Sequence, residues 1–124
     1  MKLALIAHDY KKHELVSFVL KRMDFFKRED VEIIATGTTG NMIKSAGVKN
    51  VTTVSSGPRG GDIEIANMAI KGEIEGVIFF IDPLYSHPHE SDINTLLRIC
   101  NVYNIPLATN YRAAHIFIKY FKNK

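Results

Sequence analysis

The sequence lacks the hallmarks of several protein classes. Its single cysteine, Cys100, cannot form an internal disulfide, so the sequence gives no indication of an oxidising compartment. Cys100 falls in the apolar rhythm of a predicted helix, and we expect a buried structural thiol. No run approaches the roughly 18 to 20 apolar residues of a transmembrane helix, and the apolar start at residues 3–7 is too short for a signal peptide. We therefore expect a cytoplasmic protein without a membrane partner.

A strong imbalance of charge is missing as well. Sixteen Lys and Arg residues oppose thirteen Asp and Glu residues, which gives a formal net charge of +3. The cations do not alternate with aromatic residues as they do on a nucleic-acid platform, so we predict no nucleic-acid partner. This mild positive bias would still help to attract a small anionic substrate. With 46% hydrophobic residues over 124 positions, we expect one globular domain, residues 1–124.

What the sequence does contain is an alternation of short apolar runs with longer amphipathic stretches. Apolar residues recur at helical spacing in four stripes, which begin at Leu15, Ile65, Ile93 and Ala113, and a shorter helix is predicted over residues 41–46. This order predicts an α/β fold, a Rossmann-like three-layer sandwich around a mainly parallel five-stranded sheet. The short runs that predict its buried strands are residues 3–7, 31–35, 51–54, 77–81 and 105–109.

Polar residues follow each predicted strand directly. In an open parallel sheet, ligands bind beyond the carboxyl ends of the strands, so we expect the functional site at that edge. The residues concerned are His8-Asp9, Thr36-Gly37-Thr38-Thr39-Gly40, Ser55-Ser56-Gly57, Asp82 and Thr109-Asn110.

The segment at residues 36–40 suits an oxyanion such as phosphate. Gly37 and Gly40 would let the backbone turn tightly and present N–H groups, while Thr36, Thr38 and Thr39 add hydroxyl donors before a helix N-terminus. A simple turn with a threonine N-cap would use similar residues, so both interpretations stay open. The segment is not a Walker A loop, because no Gly-Lys-Ser/Thr follows.

The glycine-rich segment Ser56-Gly57-Pro58-Arg59-Gly60-Gly61-Asp62 predicts a stiff loop that a ligand can approach closely. Ser56 offers a hydroxyl and Gly57 an N–H group to the same anion. Asp62 then opens a helix, either as its N-cap or as a catalytic base, and one residue can serve both purposes.

Two further segments supply candidate residues. Residues 86–92 hold two histidines and two acids, but Pro88 separates the histidines and argues against a metal site. His89 is instead a candidate proton carrier with Asp92 to orient it, although a polar turn with a capping Ser91 would look similar. Lys12 follows His8 by one helical turn, so both side chains could contact one ligand, and otherwise Lys12 is a surface residue.

Taken together in collinear order, these motifs resemble the methylglyoxal synthase family over nearly the whole chain. The matching segments are Ala7-His8-Asp9, residues 35–40, Ser56-Gly57-Pro58, Gly60-Gly61-Asp62, Asp82-Pro83-Leu84, Pro88-His89 with Asp92, and residues 105–110.

The resemblance implies a cofactor-free lyase that converts dihydroxyacetone phosphate to methylglyoxal and inorganic phosphate. Asp62 would be the base, and His8 and His89 would contact the substrate oxygens, with Asp92 beside His89. Asp9 and Asp82 are candidate supporting residues. The family is usually a homohexamer and is often inhibited by phosphate. The residues that would hold phosphate are Lys12, Thr38, Thr39, Ser56 and Gly57.

The sequence also departs from the family pattern. Ile63-Glu64 replaces the usual Gln-Gln, Tyr111-Arg112-Ala113 replaces a run of small residues, and the last predicted helix is followed by few residues. We expect these differences to affect subunit contacts and phosphate regulation more than the chemistry. Two other functions stay open: a non-catalytic domain of this fold that binds a phosphate effector, and an isomerase that uses the same enediolate but retains the phosphate.

Overall fold

Five parallel strands form one sheet in the order β3-β2-β1-β4-β5. The computed structural model describes residues 1–84 and 90–124, without the side chains of Pro58, Glu90, Ser91 and Asp92. The predicted parallel sheet is therefore confirmed. The strands are β1 (Lys2–Ala7), β2 (Glu32–Thr36), β3 (Val51–Val54), β4 (Gly76–Phe80) and β5 (Leu107–Ala108).

Helices cover both faces of the sheet and complete the predicted three-layer sandwich. Helices α1, α2, α3 and α6 pack on one face, and α4 and α5 pack on the other. None of the helices in the described part of the chain is long and apolar enough to cross a bilayer. The helices are α1 (Lys12–Lys21), α2 (Met23–Phe26), α3 (Gly37–Ser45), α4 (Gly61–Ile70), α5 (Glu90–Val102) and α6 (Tyr111–Lys122).

The central strand β1 separates the two halves of the core. Leu3 and Leu5 belong to the cluster under α1 and α6, while Ala4 and Ile6 belong to the cluster under α4 and α5. Because successive side chains of a strand point to opposite faces, a strand covered on both sides must be apolar throughout. Each fully buried large aliphatic or aromatic side chain contributes about 1.5–3 kcal/mol of transfer free energy.

Three element boundaries differ from the sequence prediction by more than one residue. Helix α3 begins at Gly37 rather than at residue 41, so residues 37–40 form its first turn and are not a loop. The first apolar stripe is divided between α1 and α2 at Arg22, whose backbone leaves the helical region (φ −120°, ψ 31°). Strand β5 is shorter than residues 105–109 because Pro106 has no N–H group to donate to the ladder.

The strand order reverses between β1 and β4, the neighbours at the centre of the sheet. In folds of this kind the crevice at such a reversal, beyond the carboxyl ends of the strands, is the usual ligand site. His8 directly follows β1 and Asp82 follows β4 closely, while Thr36 ends the adjacent strand β2. The topology therefore places the predicted polar residues at one edge of the sheet.

Candidate active site

His8 is a buried histidine with a fixed orientation at the end of β1. Its side chain is 5% exposed, and its ring packs edge-on against Phe79 with the centroids 5.1 Å apart. The backbone N–H of Asp82 donates a hydrogen bond of 2.8 Å to His8 Nδ1. Since Nδ1 accepts this bond, the ring proton of neutral His8 is on Nε2, which makes Nε2–H a donor.

Asp82 orients His8 through its backbone. Its Oδ1 accepts a hydrogen bond of 3.1 Å from the N–H of Leu84, which closes a tight local turn. This turn fixes the peptide whose N–H group donates to His8. The predicted supporting residue therefore contacts the histidine by its main chain.

Lys12 begins α1 and is paired with Asp9. The Nζ–Oδ1 distance is 2.8 Å, and the Lys12 side chain is 21% exposed whereas that of Asp9 is 89% exposed. An ion pair of this kind at the surface contributes only about 0–1 kcal/mol. The ammonium can therefore exchange the Asp9 carboxylate for an incoming phosphate at small cost.

The N-terminus of α3 follows β2 at the same edge. The N–H groups of Gly37, Thr38 and Thr39 have no partner within the helix, and the helix dipole favours an anion there. Thr36 occupies the N-cap position, as the threonine-cap interpretation predicts, but its hydroxyl makes no capping bond. Thr39 is fully buried, and its hydroxyl has no hydrogen-bond partner among the described residues.

Gly40 has a different role from the one predicted. It lies within α3, and a Cβ at this position would be 2.4 Å from Thr53 Cγ2 of β3. Close packing of the helix on the strand, and not a tight turn, therefore requires glycine here. The predicted anion site at residues 36–39 therefore corresponds to a helix terminus instead of a glycine loop.

Residues 55–60 form the loop between β3 and α4. Backbone hydrogen bonds within this loop and to the first residue of α4 fix its path. The Ser56 carbonyl accepts hydrogen bonds from the N–H groups of Arg59 (2.9 Å) and Gly61 (3.0 Å). Gly60 has a φ of 92°, which favours glycine. At Gly61 a Cβ would be 1.9 Å from the Ser55 carbonyl oxygen and 2.9 Å from Thr36 Cγ2. Only glycine therefore allows α4 to approach the ends of β2 and β3.

Asp62 follows these glycines as the second residue of α4. Its side chain is fully buried, and the N-cap position of the helix is occupied by Gly60. The alternative in which Asp62 is the N-cap is therefore wrong. The partial positive charge of a helix N-terminus is favourable for an acidic side chain at this position.

Ser56 and Gly57 are half-buried at the start of a short 3-10 turn, Gly57–Arg59, at the same edge. His89 lies outside the described residues, and so does the side chain of Asp92, whose backbone is in the first turn of α5. Among the described residues there is no group of three potential metal ligands. Cys100 is buried as predicted, and burial raises the pKa of its thiol to about 11.

Sequence reasoning missed the contacts of Glu64. Its carboxylate accepts a hydrogen bond of 2.7 Å from the Ser55 hydroxyl and one of 3.1 Å from the Ser55 N–H group. The residues are nine positions apart, so no helical or strand spacing connects them. The departure from the family pattern at Ile63-Glu64 was the available indication that this position differs.

Comparisons with known proteins identify the family of this chain. A family model described as an MGS-like domain matches residues 19–109. A methylglyoxal synthase of Carboxydothermus hydrogenoformans is 50% identical over 119 residues, which covers 96% of this chain and 97% of that protein. A methylglyoxal synthase of Bacillus mycoides is 52% identical over 118 residues, covering 95% and 88%.

A solved structure and a longer relative are also similar to this chain. The crystal structure of methylglyoxal synthase from Elizabethkingia anophelis superposes with a TM-score of 0.86 at 41% identity, covering 94% of this chain and 76% of that one. An uncharacterized protein of Synechocystis is 54% identical over 117 residues, but the chain spans only 27% of its length. The chain belongs to the methylglyoxal synthase family.

Proposed function

We propose that this chain is a methylglyoxal synthase, a lyase that converts dihydroxyacetone phosphate to methylglyoxal and inorganic phosphate. Asp62 removes a proton from the hydroxymethyl carbon beside the ketone, and the electrons of that C–H bond form an enediolate. The enediolate then expels phosphate from the other carbon beside the ketone as the C–O bond breaks. The resulting enol gains a proton at its terminal carbon, loses the proton of its hydroxyl group and so becomes methylglyoxal.

His8 acts on the oxygen at which negative charge develops. Its Nε2–H group is a donor because Nδ1 accepts the backbone N–H of Asp82. A donor that is already oriented stabilises the enediolate without reorganisation in the transition state. By resemblance to the family, His89 contacts the second oxygen and Asp92 orients it.

The phosphate occupies the N-terminus of α3 and the adjacent loop. N–H groups of the first turn, with the hydroxyls of Thr38 and Thr39, face the anion, and Thr36 and Gly37 shape its site. Ser56 and Gly57 contribute from the 55–60 loop. Lys12 supplies the positive charge that receives the leaving group.

The complete burial of Asp62 is the observation that carries this proposal. A domain that only binds a phosphate effector gains nothing from a carboxylate at the anion site, because the two negative charges repel each other. A lyase, in contrast, needs a base within a site from which water is excluded. The burial of Asp62 therefore favours the enzyme over the regulatory domain.

Turnover of dihydroxyacetone phosphate by the purified chain tests the function. We expect methylglyoxal and inorganic phosphate to appear in equal amounts. Formation of glyceraldehyde 3-phosphate without phosphate release would instead assign an isomerase. Phosphate binding in a titration, with no turnover of the substrate, would assign the regulatory function.

The oligomeric state and the compartment are part of the same proposal. We expect residues 1–124 to act as one domain in a cytoplasmic homohexamer, with inorganic phosphate as both product and inhibitor. Light scattering on the purified protein should then give the mass of six 14.0 kDa chains. A monomeric mass at the concentration of the assay would contradict the assembly without affecting the chemistry.

A further inference from the structure

Glu64 connects α4 to the loop that carries two of the proposed phosphate ligands. One carboxylate oxygen accepts from the Ser55 hydroxyl at 2.7 Å, and the other accepts from the Ser55 N–H group at 3.1 Å. Ser55 directly precedes Ser56 and Gly57. The carboxylate therefore holds the residue at which the loop leaves β3.

The same peptide is fixed from its other side by Gly61. A Cβ at Gly61 would be 1.9 Å from the Ser55 carbonyl oxygen, so the backbones of the loop and of α4 are in contact there. The N–H of Gly61 also donates to the Ser56 carbonyl at 3.0 Å. With the N–H, the hydroxyl and the carbonyl oxygen of Ser55 all in contact with α4, the loop has little freedom to move.

We propose that Glu64 is a positioning residue for the proposed reaction: it holds Ser55 so that Ser56 and Gly57 meet the phosphate group. This inference rests on the proposed function of the site. Glu64 and Ser55 are both exposed, so their contacts are not needed to fill the core. Their effect should therefore appear in ligand binding more than in folding.

Two possible roles of Glu64 predict opposite effects on phosphate binding when its carboxylate is removed. If Glu64 acted by its charge alone, its removal would reduce repulsion and tighten the binding of a phosphate anion. If Glu64 acts by holding Ser55, its removal releases the loop and weakens binding. Glutamine separates the two effects, since its carbonyl oxygen can accept from the Ser55 N–H and its amide can donate to the Ser55 hydroxyl.

The test compares Glu64→Ala, Glu64→Gln and the control Glu73→Ala, which removes an exposed acid of equal charge beyond the other end of α4. For each variant we would measure kcat, the KM for dihydroxyacetone phosphate and the inhibition constant of inorganic phosphate. We expect Glu64→Ala to raise the KM and the inhibition constant about three- to tenfold, because two modest hydrogen bonds are lost. The change in kcat should be smaller. Glu64→Gln and Glu73→Ala should stay close to the parent.

Two results would overturn the inference. The inference fails if the KM and the phosphate inhibition constant of Glu64→Ala are equal to or lower than those of the parent, even if the melting temperature of the variant falls. Equal losses in Glu64→Ala and Glu64→Gln would also overturn it, because glutamine keeps the ability to bond with both groups of Ser55. If the parent itself does not turn over, the proposed function fails, and calorimetric titration of the same variants with inorganic phosphate still decides whether Glu64 positions the loop.

Discussion

At the scale of single residues, backbone contacts determine what each polar group can do. The Asp82 N–H fixes the tautomer of His8, so the main chain decides which nitrogen faces a ligand. The burial of Asp62 also depends on the backbone. Gly60 has a positive φ, and Gly61 lets α4 approach the ends of the strands closely. The orientation and burial of these polar side chains therefore depend on backbone groups that would not themselves react.

Replacement of His8 by alanine removes the proposed donor. We expect His8→Ala to lower kcat by about 10²- to 10³-fold, which is typical for the loss of one donor to a developing oxyanion. Steady-state kinetics with dihydroxyacetone phosphate measures this effect. His13→Ala is the matched control, because that ring is exposed on α1. Equal activity of the two variants would remove His8 from the mechanism.

Replacement of Gly61 by alanine places a methyl group against the Ser55 carbonyl. We expect Gly61→Ala to lower the free energy of unfolding by about 1–3 kcal/mol, the usual cost of overpacking, and to displace the 55–60 loop. Urea denaturation gives the free energy. In Gly37→Ala the nearest contact of the new Cβ would be 3.7 Å, so that variant should unfold at nearly the same urea concentration as the parent. A fully stable Gly61→Ala protein would show that the close approach is not as tight as described.

Some of these residues could be found from the sequence and others could not. Asp62 could be selected as a candidate because glycine-rich turns and polar strand ends leave a local pattern, and the family resemblance then implied its role as the base. The contact of Glu64 with Ser55 leaves none, since it joins residues across a turn whose path is fixed only by the fold. The helix that begins at Gly37 was missed because glycine usually indicates a turn, whereas Gly40 is required here by packing against Thr53.

At the scale of elements, buried parallel strands are the most predictable feature of this chain. Both faces of β1 and β4 are covered, so their sequences must be apolar without interruption, and this pattern needs no tertiary information. The break at Arg22 between α1 and α2 is different. No glycine or proline marks it, so the local sequence gives no signal for a helix end at this residue.

The contact between α1 and α6 provides a prediction about pH. Arg22 Nε donates to His115 Nδ1 at 2.8 Å, and the ring packs against Phe18 and Tyr111. Desolvation lowers the pKa of His115 below its usual value of 6.5, and the positive charges of Arg22, Lys21 and Lys119 act in the same direction.

The unfolded chain therefore binds this proton at a higher pH than the folded chain does. The stability contributed by neutral His115 is complete above pH 6.5 and is lost as the pH falls from 6.5 to the lower pKa of the folded protein. Urea unfolding of the parent and of His115→Gln at a series of pH values tests this. We expect the variant to lose less stability over that interval, and identical pH profiles would contradict the assignment.

At the scale of the whole molecule, the sheet brings together residues that are far apart in the chain. His8, Thr36, Ser56, Asp62 and Asp82 come from the ends of four strands and the helix or loop that follows. Their common edge could be predicted from the order of strands and helices alone. The contacts between the loops and helices at this edge could not be predicted, because they depend on how closely α4 approaches β2 and β3.

Our central claim is that Asp62 is the base of a lyase, and one measurement tests it most directly. Parent protein and Asp62→Asn, which has nearly the same shape, are mixed with dihydroxyacetone phosphate, and methylglyoxal and inorganic phosphate are followed together. We predict equal release of both products by the parent and a rate about 10²- to 10⁴-fold lower in the variant, with phosphate still able to bind. Full activity of Asp62→Asn would contradict the account.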